Sequence, residues 1–144
     1  MTINNKTTFY KKTVFFAAIL GLSGIVLGAF GAHALQDTLE QAKMTSVWNT
    51  AVMYHLLHVV ALLALAAWAE ARGATAPDAE QQWLKRAAGC WLAGIILFSG
   101  SLYLLALGGP KWLGPVTPLG GLAFILGWLF LAIAASRGPA HAEK

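Results

Sequence analysis

The sequence predicts an all-α integral membrane protein, an antiparallel four-helix transmembrane bundle with both termini cytoplasmic. Three observations carry that expectation. Of 144 residues 58% are apolar and only 11% charged, against roughly 25% charged in soluble domains. Four apolar runs of membrane-spanning length contain no Asp, Glu, Lys or Arg. The basic residues outside them alternate from side to side in number. Length allows one domain, and the four runs use nearly all of it, so residues 1–144 read as a single membrane domain.

Crossing about 30 Å of hydrocarbon takes roughly 20 apolar residues. The four runs are Thr13–Leu35, Val47–Ala69, Ala87–Leu107 and Thr117–Ala135. Each must be helical, because an isolated strand leaves its backbone groups unsatisfied in lipid. The linkers break the pattern: Gln36–Ser46 is polar, Glu70–Arg86 holds Pro77 among acids and bases, and Gly108–Val116 carries Gly108, Gly109, Pro110 and Pro115. No internal repeat marks two inverted halves.

Orientation follows from Lys and Arg, since acids contribute little. Lys6, Lys11, Lys12, Arg72, Lys85, Arg86, Arg137 and Lys144 fall on one side; Lys43 and Lys111 fall on the other. The termini and the central loop are therefore expected in the cytoplasm. Trp48, Trp68, Trp83 and Trp112 stand near run ends, where amphipathic rings favour the interface. Ala32-His33-Ala34 after a lysine-led apolar run mimics a cleavable signal, but the run is longer than such segments, and the chain is expected to keep it.

The first run carries Gly21, Gly24, Gly28 and Gly31 at spacings of three, four and three. They form one smooth helical stripe, the kind that lets two backbones approach where lipid removes the hydrophobic drive for association. Tyr54, His55 and His58 lie on the second run, the histidines about 12 and 16 Å below its outer end at 1.5 Å per residue. Intramembrane ionisable groups are site candidates by default, although neutral histidine also serves to hydrogen-bond one helix to another. His33 lies roughly 9 Å shallower than His55 and off the glycine stripe, so a metal or haem site within one protomer is not expected, and no cofactor is assigned. Ser99, Ser101 and Tyr103 on the third run and Thr117 at the start of the fourth complete a polar patch in the outer half of the membrane. Two readings of that patch stand side by side: ordinary interhelical hydrogen bonding, and a small cavity open to the outer leaflet. Cys90, alone of its kind, reads as a packing residue.

Some function classes are excluded. The scattered basic residues form no cationic stripe for nucleic acid. No carboxylate within a run orients a histidine, and no phosphate loop, nucleotide fingerprint or metalloprotease motif is present.

Gly28-Ala29-Phe30-Gly31-Ala32-His33, Thr50-Ala51-Val52-Met53-Tyr54-His55-Leu56-Leu57-His58, Phe98-Ser99-Gly100-Ser101-Leu102-Tyr103, and Val116-Thr117-Pro118-Leu119-Gly120-Gly121 with Gly127-Trp128 together resemble the YgdD-like family of small bacterial inner-membrane proteins. The resemblance implies a four-helix, multi-pass protein of the bacterial inner membrane and argues against signal cleavage, but it brings no activity. His33, His58, Ser99, Ser101, Tyr103, Thr117 and Pro118 match the family pattern, whereas glutamine is expected where His55 stands. The leading expectation is a non-enzymatic accessory or lipid-interacting membrane protein, with membrane lipids and further copies of the chain as partners. The alternatives are an oligomeric small-solute or ion permease using the polar patch, and a redox subunit with a cofactor shared between protomers.

Overall fold

A computed structural model describes residues 3–73 and 76–137, with the side chains of residues 3–7 left aside. Of the basic residues counted for orientation, Lys144 and the Lys6 side chain lie outside that description. The described residues are helical, without a strand: α1 (Ile3–Ala32), α2 (Gln36–Gln41), α3 (Thr45–Arg72), α4 (Asp78–Gly94), a π-helical segment (Ile95–Ser99), α5 (Gly100–Ala106), one 3₁₀ turn (Lys111–Leu113) and α6 (Val116–Ser136). Four stretches are long and apolar enough to cross a membrane: Thr8–Ala32, Thr45–Arg72, Asp78–Ala106 and Lys111–Ser136.

These stretches differ from the sequence runs at their ends, and the reasons are local. Hydropathy marks where hydrocarbon begins, whereas a helix continues while its backbone bonds are satisfied. The third stretch starts at Asp78 rather than Ala87, with Asp78 and Glu80 in its first turn, where carboxylates favour the positive helix end. Arg72 at the end of α3 forks onto Glu80, Nε to Oε1 and Nη2 to Oε2 at 3.0 Å each, which shortens the expected loop from both sides. The first stretch stops at Ala32 rather than Leu35; the Leu35 amide bonds back to the Phe30 carbonyl at 2.8 Å. α2 falls in a linker that hydropathy left blank.

The glycine stripe of α1 faces α3 in steady register. A methyl group at Gly21 would meet Val59 at 3.3 Å, one at Gly24 would meet Leu56 at 2.7 Å, one at Gly28 would meet Val52 at 3.4 Å, and one at Gly31 would collide with the Trp48 ring. That ring is 1% exposed and donates its indole N–H to the Leu27 carbonyl at 3.1 Å. Trp48 is therefore a wedge between helices and not an interface anchor, while Trp112, 68% exposed, has the exposure of one.

The second close approach joins α6 to the third helix. Gly94 leaves room for Phe124, and Gly127 for Trp91. Gly120 lies against the backbone of Phe98 in the π-helical segment. There the Gly100 amide bonds to the Ile95 carbonyl, five residues back, so the wider turn presents its main chain to α6. Leu62, Leu65, Leu84, Trp91, Ile95 and Phe124 are the large side chains, with Val59 and several alanines, of the larger apolar core; Leu39, Trp48, Ala51, Tyr103 and Ala106 form a smaller one.

Gly120→Ala should destabilise the protein by about 1 to 3 kcal/mol, because backbone cannot yield to the added methyl group. Gly121→Ala, whose nearest neighbour is the Phe98 ring at 3.7 Å, should change stability by less than about 0.5 kcal/mol. Thermal unfolding of both variants in one detergent checks the contrast, and equal midpoints would refute the close approach.

Candidate functional site

The eight residues of the expected polar patch do not gather at one place. His33 is exposed in the turn after α1. Six of the others fall into three groups, set by which helix each side chain meets, and Ser99 belongs to none of them.

His58, 2% exposed, sits where α3, the third helix and α6 converge. Phe124 stacks on its ring at 3.6 Å between centroids and 13° between planes. Trp91 and Trp128 approach edge-on at 6.1 and 6.2 Å, and Tyr54 flanks it at 6.2 Å. Both ring nitrogens are engaged. Nδ1 lies 2.8 Å from the Tyr54 carbonyl, which can only accept, so Nδ1 carries the proton. Trp128 Nε1 lies 3.3 Å from Nε2; an indole can only donate, so Nε2 is bare. The histidine is neutral, and its free lone pair is taken by an indole.

His55, 4% exposed, faces α5 instead. Its Nδ1 and the Tyr103 hydroxyl share a hydrogen bond at 3.3 Å, and Tyr103 packs edge-on against Trp48 with centroids 4.8 Å apart. Three residues of helix separate His55 from His58, a rotation of about 300°, and that turns the two rings toward different partners. Ser101 and Thr117 form the third group. Their hydroxyls lie 2.7 Å apart, and Ser101 Oγ lies 3.0 Å from the Phe98 carbonyl. Thr117 stands 3.5 Å from the Leu113 carbonyl, too far for its better bond. Its proton therefore goes to Ser101, and the Ser101 proton to Phe98.

Three buried polar atoms near these groups have no hydrogen-bond partner among the described residues: His55 Nε2, Trp91 Nε1 and Ser99 Oγ. Ser99 ends the π-helical segment. Serines in helices commonly bond to a carbonyl three or four residues back, as Ser23 does with Leu20, and Ser99 does not. Among the described residues no group of three or more His, Cys, Asp or Glu side chains could hold a metal ion.

A cavity of about 300 Å³ opens sideways between α3 and α6, with His58 and Phe124 in its wall and Tyr54, Leu57, Ile125 and Trp128 around them. Sequence reasoning placed His58 and Tyr54 but missed Trp91, Phe124 and Trp128. The available signal was Gly127, the notch that seats Trp91.

A family model described as a protein of unknown function (DUF423) matches residues 27–121. The chain is 39% identical to the UPF0382 membrane protein YwdK of Bacillus subtilis over 127 residues, 88% of this chain and 98% of that one. It is 37% identical to the UPF0382 inner membrane protein YgdD of Escherichia coli K12, over 85% of this chain and 87% of that one. A UPF0382 membrane protein of Haemophilus influenzae is likewise 37% identical, over 88% and 94% of the two chains. No solved structure matches.

Nitrogen-15 NMR of histidine-labelled protein should find His58 protonated on Nδ1 and bare on Nε2. Trp128→Phe should shift the Nε2 resonance, spare Nδ1, and cost about 1 kcal/mol for the lost bond. A proton on Nε2 would contradict the geometry.

Proposed function

The chain belongs to the DUF423 family of membrane proteins of unknown function, and from that premise we propose that it is a non-enzymatic, lipid-interacting protein of the bacterial inner membrane. In this reading it is one multi-pass domain, an antiparallel four-helix bundle with both termini cytoplasmic. Membrane lipids and further copies of the chain are its partners, and nucleic acid is not.

The observation that carries the reading is the closure of the polar patch into separate local pairs. His58 spends both nitrogens on Tyr54 and Trp128, so neither is offered to a metal, a haem or a reacting substrate. Thr117 donates to Ser101, and Ser101 to the Phe98 carbonyl. The two openings beside Tyr54 are lined chiefly by apolar and aromatic side chains. Support for the helix arrangement comes from the contact register, in which rising positions on α1 meet falling positions on α3. Support for the orientation comes from the eight-to-two distribution of Lys and Arg.

A second reading, the permease, draws on the unpartnered His55 Nε2 and Ser99 Oγ, since polar atoms left over in a bundle are where a path would start. Protein purified in mild detergent should retain lipid in native mass spectra and show no cofactor absorption. Reconstituted in liposomes, it should pass small solutes and ions no faster than empty vesicles. Flux that disappears in His55→Leu or Ser99→Ala, with the fold retained, would favour the permease. A bound chromophore lost in His58→Ala would favour the redox subunit.

A further inference from the structure

We propose that the membrane face opposite the termini holds a binding site for an anionic phospholipid, in a cavity between α3 and α5 that Lys111 lines and beside whose wall residue Met44 stands Lys43. The proposal rests on the lipid-interacting reading and gives it a place and a headgroup class.

The cavity has a volume of about 430 Å³ and is lined by Met44 just before α3, Val47 of α3, Leu102 and Leu105 of α5, and Gly108, Gly109 and Lys111 after it. That volume lies within the roughly 300 to 1,000 Å³ of sites for small ligands. Its walls are apolar where they run along the helices, and its one charged lining residue is at the loop end. Trp112, the most exposed tryptophan ring given for this chain, follows Lys111 and sets the mouth at the level of headgroups. An amphiphile with an acyl chain against Leu102, Leu105 and Val47 and an anionic group beside Lys111 matches this division.

Charge at the mouth is one-sided. Lys43 and Lys111 are the only Lys or Arg on this face by the sequence division; Lys111 lines the cavity, and Lys43 is the residue before Met44 of its wall. α3 begins here at Thr45 with no side-chain cap and no acid in its first turn, so the positive end of a 28-residue helix adds to the lysines. Of the acids on this face, Asp37 and Glu40, neither lines the cavity; Glu40 accepts a bond from Gln36 at 3.0 Å.

The backbone at Lys43 is a further argument. α2 and α5 end in the same turn, in which one amide reaches back five residues and the one before it reaches back three. At α5 the bonds are Gly109 to Leu104 and Gly108 to Leu105; at α2 they are Met44 to Leu39 and Lys43 to Glu40. Such a turn places its penultimate residue at positive φ, which glycine adopts freely and other residues only at a cost. Gly108 stands there with φ +80°, but Lys43 stands there with φ +56°. Turn chemistry favours glycine at position 43, so the lysine is held there by something other than the turn, and the cavity's wall residue Met44 is what it adjoins.

The test is native mass spectrometry of the full chain in mild detergent, titrated with dioleoylphosphatidylglycerol or dioleoylphosphatidylethanolamine. Wild type should retain the phosphatidylglycerol preferentially, and inorganic phosphate should not compete. Lys43→Gly and Lys111→Gln should each weaken retention roughly fivefold, with Lys43→Gly unfolding at a temperature no lower than wild type. Leu105→Trp should reduce retention with both charges intact, by filling the cavity. Retention unchanged in all three variants would overturn this site and leave the lipid-interacting reading standing. Equal retention of the two lipids would overturn the headgroup class, and competition by inorganic phosphate the lipid source. A wild-type chain that holds no lipid of either kind would overturn both the site and the reading.

Discussion

The structure depends on rings seated in notches that glycines leave open. In water, two helices are driven together by removing apolar surface from solvent; in lipid the surroundings are as apolar as the side chains, and close contact itself must supply the attraction. A single ring pressed against a backbone makes many such contacts. Gly31 admits Trp48, Gly94 admits Phe124 and Gly127 admits Trp91, so the same device joins α1 to α3 and α6 to α4. Two of those rings, Phe124 and Trp91, are also neighbours of His58. The glycines therefore position the polar centre as well as the helices.

Polar groups follow from that packing. Once Phe124 and Trp91 are seated, His58 is shut off from lipid on two sides, and an imidazole in such surroundings must find both a donor and an acceptor. It finds an acceptor on its own helix, the Tyr54 carbonyl, and a donor across the groove on α6, Trp128. Where α3 gives way to α4, Glu80 is buried and held by both arms of the Arg72 fork, the arrangement that best offsets removing a carboxylate from water. Gln81 beside it is buried with neither amide atom bonded among the described residues. The junction of α3 and α4 thus carries a bidentate ion pair beside an amide with no bonded partner among the described residues.

Much of this architecture was legible in the sequence, because the constraints of a bilayer are blunt. Four charge-free runs became four helical stretches, and the spacing of Gly21, Gly24, Gly28 and Gly31 led to a smooth face. The ends were less legible. Hydropathy cannot see that Asp78 and Glu80 extend a helix when a cation waits across the loop, nor that α2 forms from six polar-rich residues between two turns. The π-helical segment was invisible, since nothing in Ile95–Ser99 distinguishes it from an ordinary apolar turn; it arises where Gly120 lets α6 touch the main chain of Phe98. At the polar patch, residue types and depths were readable, but rotation about the helix axis was not combined with partner identity. Tyr54, His55 and His58 look like one cluster along the chain and serve two neighbours in space.

That division bears on what each histidine is for. At position 55 the one side-chain hydrogen bond runs to the Tyr103 hydroxyl, which can donate or accept. A glutamine, which the family resemblance leads one to expect there, also offers both a donor and an acceptor to that hydroxyl. At position 58 the requirement is stricter: a donor aimed back along the helix, an acceptor aimed at α6, and a flat face between them on which Phe124 can lie. No amide or hydroxyl side chain supplies all three together, because neither has an aromatic face. Position 58 therefore depends on the imidazole as a shape as well as a polar group. Its stacked face and its two hydrogen bonds together give His58 a structural part in joining α3 to α6.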